Sequence, residues 1–318
     1  MPLVTVICLC YKHAPFVRLA LDSVLAQTYA HVELIIIDDC SPDDSVQVIR
    51  QWLNEQKQTY TFLALEPNIG NCAAFNRGLS LAKGQYIIDL AADDVLLPNR
   101  IASQVALLET NPTAAATYSD ALLIDEKGKA LRTHYLRDKN GALLQPVPSG
   151  AIYQRLFEGH FVCSVTLMFR TETLRQISGY DETLAYEDFD VLMRLARTSP
   201  LLFQDQILTQ YRVVQYSLSS KFYQRKQNKM LESTLVICQK AMAMHRQPSE
   251  VEAWAIFVRY HLRQAFFTEN FYLVEKFGTL LKYAHRLDFT SKLILTFSRF
   301  RPKIYFMYNF YIQLKKIF

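Results

Sequence analysis

The sequence lacks the features that mark secreted and membrane-spanning proteins. Its six cysteines form no CxxC pair and no zinc-like cluster with histidine. No stretch of about 18 or more apolar residues is free of charge, and the apolar segment 3–10 is too short for a signal peptide and has no basic leader. These absences favour a protein of the reducing cytoplasm.

A glycine-rich phosphate loop is also missing near the start of the chain. Residues 6–16, VICLCYKHAPF, contain no glycine. Nucleotidyltransferases that make sugar nucleotides need an early loop of this kind that carries arginine or lysine, because its backbone must approach the phosphates closely. The sequence therefore disfavours that class.

Charge is divided unevenly along the chain, whose net charge is +5. Up to Gln215 there are 18 Lys/Arg against 24 Asp/Glu, and from Tyr216 onward there are 17 against 6. The acidic part is suited to metal ions, and the basic part is suited to an anionic surface such as phospholipid or nucleic acid.

Segments with strand and helix periodicity alternate over residues 3–111. Predicted strands cover 3–11, 31–38, 61–65, 85–94, 114–125 and 163–169, and predicted helices lie within 15–27, 43–56, 68–84, 98–111, 149–157 and 186–197. This order favours an α/β fold with a mostly parallel sheet flanked by helices. Beyond Ser220 the chain is predicted to be helical, with a break at 246–250.

Two pairs of adjacent aspartates follow predicted strands. Asp38 and Asp39 end the second strand, and Asp93 and Asp94 end the fourth. Ligands of open parallel sheets bind beyond the carboxyl ends of the strands, so both pairs should line one rim. Carboxylates there can coordinate a divalent cation or accept hydrogen bonds from a ribose or a base.

Three segments resemble the family-two glycosyltransferases, inverting enzymes of the GT-A fold. They are VTVICLCYKHAPFVRLALDSVLAQTYAHVELIIIDDCSPDDS, NIGNCAAFNRGLSLAKGQYIIDLAADDVLLPNR and SVTLMFRTETLRQISGYDETLAYEDFDVLMRLA, in the family's order and spacing across roughly residues 3–197. The resemblance implies a Rossmann-like GT-A domain over 1–219, followed by a helical, basic, aromatic-rich C-terminal region over 220–318.

The resemblance also implies a site for a nucleotide at the strand ends. Tyr11 would lie near the base, and the backbone around Cys10 would touch it. Asp39 would contact a uracil-type base with support from Asp38, and Asp93 would face the ribose. A UDP-linked sugar is the expected donor.

The catalytic parts are implied in the same way. Asp94 would bind a Mn²⁺ or Mg²⁺ ion that bridges the diphosphate of the donor. Asp188, in YEDFD, would be the general base, with Glu187 beside the acceptor or the base. Asn76 and Arg77 either reach the nucleotide or lie on the surface of their helix.

These parts predict an inverting glycosyltransferase that moves a sugar from a nucleotide-sugar donor to a hydroxyl of a saccharide or lipid-linked acceptor. Surface polysaccharide or glycolipid synthesis is the expected setting, in the cytoplasm or on the cytoplasmic face of the membrane. The prediction requires Asp39, Asp94 and Asp188 to converge around one diphosphate and one cation. The alternatives are a non-catalytic nucleotide-binding scaffold of the same fold and, less favoured, a nucleotidyltransferase.

The sequence departs from the family's pattern at two places. Phe75 stands where many members carry arginine before the asparagine of the third helix, so a diphosphate contact would come from elsewhere, from Arg77 or Lys83. Val214 stands where many members carry a histidine, and Gln215 or Tyr216 would then compensate. The second departure keeps the scaffold alternative open.

The C-terminal tail combines aromatic and basic residues. Residues 287–318 hold nine Phe/Tyr residues interleaved with Lys/Arg, a composition suited to a membrane interface. The alternative is a helical subdomain that packs on the body of the protein or on a second subunit of a homo-oligomer. No nucleic-acid motif accompanies the tail, so nucleic-acid binding is disfavoured.

Overall fold

The structure, a computed structural model, describes residues 1–214 and 218–309, and the chain forms two compact units. The first unit comprises Met1–Ile152, Phe161–Glu182 and Asp190–Val214, and the second comprises Tyr153–His160, Thr183–Phe189 and Gln215–Phe318 as far as it is described. The chain therefore passes between the units several times. The boundary between residues 219 and 220 stays a prediction.

The first unit is built on a nine-stranded sheet. Its strands are β1 (Val4–Cys10), β2 (Val32–Asp38), β3 (Thr61–Ala64), β4 (Tyr86–Ala91), β5 (Val95–Leu96), β6 (Ala116–Ile124), β7 (Ala130–Thr133), β8 (Met168–Arg170) and β9 (Leu201–Arg212). The order is β3-β2-β1-β4-β8-β6-β9-β5, and β7 pairs with β6. The pairs β1–β2, β1–β4, β2–β3 and β6–β9 are parallel. Strands β5, β7 and β8 are antiparallel to the strands they pair with.

Helices cover this sheet and complete its core. They are α1 (Val17–Leu25), α2 (Ser45–Glu55), α3 (Asn71–Leu81), α4 (Arg100–Glu109) and α6 (Thr171–Gln176), and α7 (Asp188–Ala196) starts in the second unit and continues in the first. The apolar residues of β1, β2 and β4 pack against α1, α2 and α4, with Trp52 fully buried among them. The predicted α/β fold is confirmed, with a mixed sheet.

The segment 163–169 was predicted as one strand, and this prediction is wrong over its first part. A 3₁₀ turn at Ser164–Thr166 precedes the short strand β8. The Thr166 hydroxyl donates to the carbonyl of Cys163 (2.7 Å) and accepts the backbone N–H of Ser119 (2.9 Å). A side chain thus replaces the backbone ladder that a strand would need there.

The second unit is helical in its described part. It contains α5 (Tyr153–Leu156), α8 (Lys229–Met244), α9 (Pro248–Phe267), α10 (Phe271–Tyr283) and α11 (Phe289–Ser298). The predicted break lies between α8 and α9, where Gln247 and Glu250 form a capping box and Pro248 occupies the first turn. Within residues 1–214 and 218–309, no helix is both long enough and apolar enough to cross a membrane.

Candidate active site

The carboxyl ends of β2, β1 and β4 lie side by side at one edge of the sheet. Cys10 at the end of β1 is paired with Asp38 at the end of β2. On the other side of β1, β4 is paired as far as Ala91, and Asp93 and Asp94 follow it directly in the next turn. Parallel pairing therefore brings both aspartate pairs to the same edge of the first unit.

Asp38 and Asp39 are buried and hold the turns that follow β2. Asp38 accepts the backbone N–H of Ser41 (2.8 Å) and its hydroxyl (2.6 Å). Asp39 accepts the backbone N–H groups of Ile69 (2.8 Å) and Gly70 (2.9 Å). Gly70 has a φ of +85°, which glycine adopts without steric cost, and α3 begins at the next residue. Asp39 thus connects the end of β2 to the start of α3.

Tyr11 follows β1 and carries the exposed aromatic ring of this edge. Its side chain is 43% exposed, and the Lys12 ammonium lies 5.2 Å from the ring centroid. Such a ring can stack on a nucleotide base. Neighbouring Cys10 is buried, which raises the pKa of its thiol to about 12, so the thiol stays neutral at pH 7.

Asp94 is buried and held by the end of β9. The backbone N–H of Arg212 donates to Asp94 Oδ1 (2.8 Å), and the Arg212 Nε donates to the carbonyl of Asp93 (2.9 Å). Burial, reinforced by the negative charge of Asp93, raises the pKa of Asp94 well above its usual range. The Arg212 guanidinium also lies 4.6 Å from the Phe16 ring. Sequence reasoning did not find Arg212, which no spacing rule links to an acid more than a hundred residues earlier.

His13 lies beside the same acids and was also missed. Its Nδ1 is 3.6 Å from Asp93 Oδ1, is buried, and makes no hydrogen bond within the described part of the chain. The Asp93 side chain is 12% exposed, so it can still be reached from solvent. The sequence signal was the segment CYKHA, in which only the tyrosine and the cysteine backbone received a role.

The acids after β4 fit a divalent cation only in part. Their carboxylate oxygens are the ligands that Mg²⁺ and Mn²⁺ prefer, and the mutual repulsion of Asp93 and Asp94 would be relieved by a positive ion. Among the residues that the structure describes, no three His, Cys, Asp or Glu side chains form a group that could hold a metal ion. The fit is to an ion held by one or two carboxylates, with phosphate and water as further ligands.

Val214 is the last described residue after β9, and Gln215 and Tyr216 lie outside the described residues. The compensation expected from them stays a prediction. Two residues before Val214, Arg212 ends β9 and donates its backbone N–H to Asp94.

Asn76 on α3 forms three hydrogen bonds within the first unit. Its Oδ1 accepts the backbone N–H of Tyr180 (2.9 Å), and its Nδ2 donates to the Tyr180 carbonyl (2.8 Å) and to Glu182 Oε1 (2.9 Å). Phe75 beside it is buried and stacks on the Tyr180 ring at 4.1 Å. These contacts fasten α3 to the GYDE segment, and a nucleotide contact through Asn76 would have to share an amide already in use.

An open groove of about 590 Å³ borders this helix. Its lining consists of Ile69, Ala73, Asn76, Arg77, Ser80 and Glu182. Arg77 is exposed there and supplies positive charge in a region where the sequence has Phe75 in place of the family's usual arginine. Of the two residues predicted for the diphosphate contact, Arg77 lines this groove and Lys83 does not.

Asp89 is a further acid that the sequence reasoning did not single out. It lies within β4, where the Tyr180 hydroxyl donates to its Oδ2 (3.1 Å). Burial raises the pKa of Asp89 to about 7, and its hydrogen bond to Tyr180 and the charge of Arg100 offset part of that rise. This acid is therefore poised to change charge near neutral pH.

Glu187 and Asp188 belong to the second unit, at the start of α7. Both side chains are half-buried. Burial raises the pKa of Asp188, and the nearby His160 opposes that rise. The His160 ring lies edge-on to Phe189 at 5.9 Å, and burial lowers the pKa of this histidine.

The segment before α7 is anchored to α8 within the second unit. The hydroxyls of Tyr186 and Thr234 share a hydrogen bond of 2.8 Å, and the backbone N–H of Ala185 donates to the Ser233 hydroxyl (2.8 Å). These contacts position Asp188 relative to the helices of its own unit. Its convergence with Asp39 and Asp94 stays a prediction.

Comparison with known proteins adds a family and a fold. Residues 5–177 match the family model described as glycosyl transferase family 2. An uncharacterized glycosyltransferase of Rickettsia prowazekii (strain Madrid E) is 29% identical over 219 residues, which are 67% of this chain and 64% of that relative. The chain thus spans less than two thirds of the length of this curated relative.

Solved structures resemble the chain over almost all of its length. S. aureus TarS residues 1–349 in complex with UDP-GlcNAc gives a TM-score of 0.69 at 15% identity, covering 94% of this chain and 88% of TarS 1–349. The mannosyltransferase PcManGT of Pyrobaculum calidifontis, in complex with GDP-Man and Mn²⁺, gives 0.58 at 16% identity, covering 96% and 83%. At sequence identities of 15% and 16%, the structural similarity establishes a shared fold.

Proposed function

This chain belongs to glycosyl transferase family 2, and from that premise we propose that it transfers a sugar from a nucleotide-sugar donor to a hydroxyl acceptor. One observation carries the proposal: β2, β1 and β4 end together, and Asp39, Asp93, Asp94 and the exposed Tyr11 follow those ends. Complexes of structural neighbours with UDP-GlcNAc and GDP-Man support a donor of this class.

The proposed donor site uses Tyr11 and the acids of the sheet edge. Tyr11 stacks on the base, and the Cys10 backbone lies beside it. Asp39, supported by Asp38, accepts a hydrogen bond from a uracil-type base, which makes a UDP-linked sugar the expected donor. Asp93 accepts from the ribose, and Asn76 with Arg77 borders the phosphates.

A divalent cation, Mn²⁺ or Mg²⁺, would be held by Asp94 and would stabilise the negative charge of the leaving diphosphate. The backbone N–H of Arg212 fixes one carboxylate oxygen of Asp94, and the second oxygen is the proposed metal ligand. The complex of PcManGT with Mn²⁺ supports a metal-dependent member of this fold.

Asp188 is the proposed general base. Burial raises the pKa of Asp188, so its carboxylate is a stronger base than that of an ordinary surface aspartate. It would take the proton of the acceptor hydroxyl as that oxygen attacks the anomeric carbon. A single displacement of this kind inverts the anomeric centre, and Glu187 would bind the acceptor or support the base.

The acceptor is proposed to be a saccharide or a lipid-linked sugar of surface polysaccharide or glycolipid synthesis. The excess of Lys/Arg after Tyr216 supports a place at an anionic surface, on the cytoplasmic face of a membrane. The charge asymmetry is the observation behind this choice.

The experiment is a screen of nucleotide sugars by thermal shift, with and without Mn²⁺, followed by measurement of nucleoside diphosphate release. Ligands that bind the folded state raise the melting temperature by mass action, so the donor class emerges from the first step. Release in the second step should be lost in Asp188→Asn and retained in Asp138→Asn, a change in an exposed turn. If no nucleotide sugar raises the melting temperature, the donor proposal is wrong.

A non-catalytic scaffold of the same fold is the second candidate. One observation favours it: valine stands at position 214, where many members of the family carry a histidine. Binding of a nucleotide sugar without release of diphosphate, for every acceptor offered, would support the scaffold.

A further inference from the structure

Helix α11 in the second unit buries two serines while it exposes two phenylalanines. Ser291 and Ser298 are buried, at 2% and 3% exposure, whereas Phe289 and Phe297 are 74% and 57% exposed. Soluble helices normally bury apolar side chains and expose polar ones. The exposed phenylalanines therefore form an apolar surface on this helix.

The exposed apolar residues form one stripe. Phe289, Leu293 and Phe297 recur at intervals of four and share one face of α11, and Phe300 follows in the turn after the helix; Leu293 and Phe300 are 42% and 79% exposed. We call these four residues the α11 stripe. Its neighbour on the helix surface, Thr296, is exposed as well.

The opposite face of α11 is fixed against the unit. Leu295 packs closely on Gly278 of α10, where an added Cβ would lie 2.5 Å from Leu295 Cδ2 and would require the leucine side chain to shift. Asp288 caps α11 by accepting the backbone N–H of Ser291 (2.9 Å). The stripe is therefore presented by an anchored helix, and it cannot turn inward without losing these contacts.

Positive charge lies along and after the stripe. Lys292 lies in α11, Arg299 ends the helix, Arg301 and Lys303 follow it, and all four are exposed. No Asp or Glu follows Asp288 in the sequence. An apolar stripe bordered by cations is complementary to a surface that carries anionic groups above an apolar interior.

We propose that the α11 stripe inserts into the headgroup region of a membrane rich in anionic lipid. Phenylalanine rings enter the acyl boundary, while lysine and arginine remain at the level of the phosphates. A second copy of the chain fits less well, because a stripe-to-stripe contact would bring two basic flanks together. This proposal does not depend on the proposed sugar transfer, since it concerns binding of the second unit to lipid.

The experiment is co-flotation of the full chain with vesicles of phosphatidylcholine alone or with added phosphatidylglycerol, at low and high salt. We expect binding to the anionic vesicles to be at least about tenfold tighter, and to weaken with salt, because each cation near such a surface contributes about a fivefold gain. Phe289→Ser with Phe297→Ser and Phe300→Ser should weaken binding by about a hundredfold.

Two matched variants serve as controls. The first control removes a similar amount of exposed apolar surface from the first unit. It changes Leu131, Leu136 and Leu144, which are 54%, 68% and 59% exposed, to serine together. Charge reversal at Lys292, Arg299 and Arg301 is compared with reversal at Lys127, Lys129 and Lys139, which are also exposed. Only the changes around α11 should reduce flotation.

Several results would overturn the proposal. They are equal flotation with both kinds of vesicle, no flotation with either, or equal losses in the control variants. A dimer in light scattering that the phenylalanine variant converts to monomer would assign the stripe to a second copy. Failure of sugar transfer in the same preparation would leave the flotation result unaffected, so the two proposals are tested separately.

Discussion

At the scale of single residues, burial gives three carboxyl groups of this chain an unusual affinity for protons. The pKa values of Asp89, Asp94 and Asp188 are all raised, and burial is the largest cause for each. Asp94 and Asp188 belong to the proposed chemistry, whereas Asp89 lies in β4 and has no role in it. The consequences for function and for stability can therefore be separated by substitution.

Asp188→Asn should lower the rate of sugar transfer by about 10²–10⁴, because an amide cannot accept the proton of the acceptor hydroxyl. The rate of the native chain should rise with pH and level off above the raised pKa of Asp188. Measurement of kcat/KM between pH 4 and 8 tests this. A full rate in Asp188→Asn, with an unchanged pH profile, would remove Asp188 from the mechanism.

Asp89→Asn should stabilise the protein above neutral pH and have little effect in acid. The carboxyl has a pKa of about 7 when folded and an ordinary value of 3.8, so between these pH values the folded state binds more protons than the unfolded state. Its contribution is present in acid and is lost as pH rises toward 7, by on the order of 2–4 kcal/mol. Asparagine can still accept the hydrogen bond of Tyr180.

Urea unfolding at pH 5 and pH 8 measures this difference. The gain at pH 8 over pH 5 should be seen for Asp89→Asn and should be absent for Asp138→Asn, whose side chain is exposed. Equal effects of Asp89→Asn at both pH values would show that Asp89 does not titrate in this window.

At the scale of elements, the end of β9 joins three parts of the first unit. Arg212 contacts the turn after β4 through Asp93 and Asp94, and its Nη1 donates to the carbonyl of Asp125 (2.9 Å) in the turn after β6. The short strand β5 follows Asp94 directly and pairs with β9, so the Arg212 backbone reaches Asp94 while its side chain links the turns after β4 and β6.

Arg212→Gln should therefore lower the free energy of unfolding by about 2–3 kcal/mol, because it leaves buried carbonyl groups without a charged donor. The same change should raise the Mn²⁺ concentration needed for half-maximal activity, since the turn that holds Asp94 loses one support. Arg132→Gln is the matched control, because Arg132 is exposed and its Nη1 donates to the nearby backbone carbonyls of Thr133 and His134. A Mn²⁺ requirement unchanged in Arg212→Gln would contradict the positioning role.

The elements themselves divide into those that local pattern predicts and those that it does not. The alternation of β1 to β4 with α1 to α4 follows from periodicity, because most of these elements bury an apolar face. β9 was not predicted, since its central residues Gln204, Asp205 and Gln206 are polar and give no strand signal. Its formation depends on long-range pairing with β6 and β5, which no local window contains.

At the scale of the whole molecule, removal of divalent cations should stop sugar transfer without unfolding the protein. The fold is closed around Asp94 by backbone and arginine contacts that need no ion. Chelation with EDTA should therefore abolish activity while the melting temperature changes little, and Mn²⁺ should restore activity. A fall of the melting temperature on chelation would show a structural metal instead.

The sequence predicted the shared edge of the candidate site but not its supports. The two aspartate pairs can be recognised in the sequence as adjacent acids that follow apolar strands. Arg212, His13 and the contact of Tyr180 with Asp89 come from distant parts of the chain, and their partners are defined only once the strands are ordered. Supports of this kind have no fixed spacing, which is why pattern alone does not identify them.

The interleaving of the two units has a consequence for recombination between relatives. A piece ending at residue 214 would keep every strand, but it would carry 153–160 and 183–189 without the helices that cover them. Phe157 and Phe189 would lose Phe257, on which the Phe189 ring stacks at 4.7 Å, and Tyr186 would lose Thr234. Exchange of the helical unit between homologous genes must therefore transplant three separate stretches together, so inheritance of Asp188 is tied to that of α8 and α9.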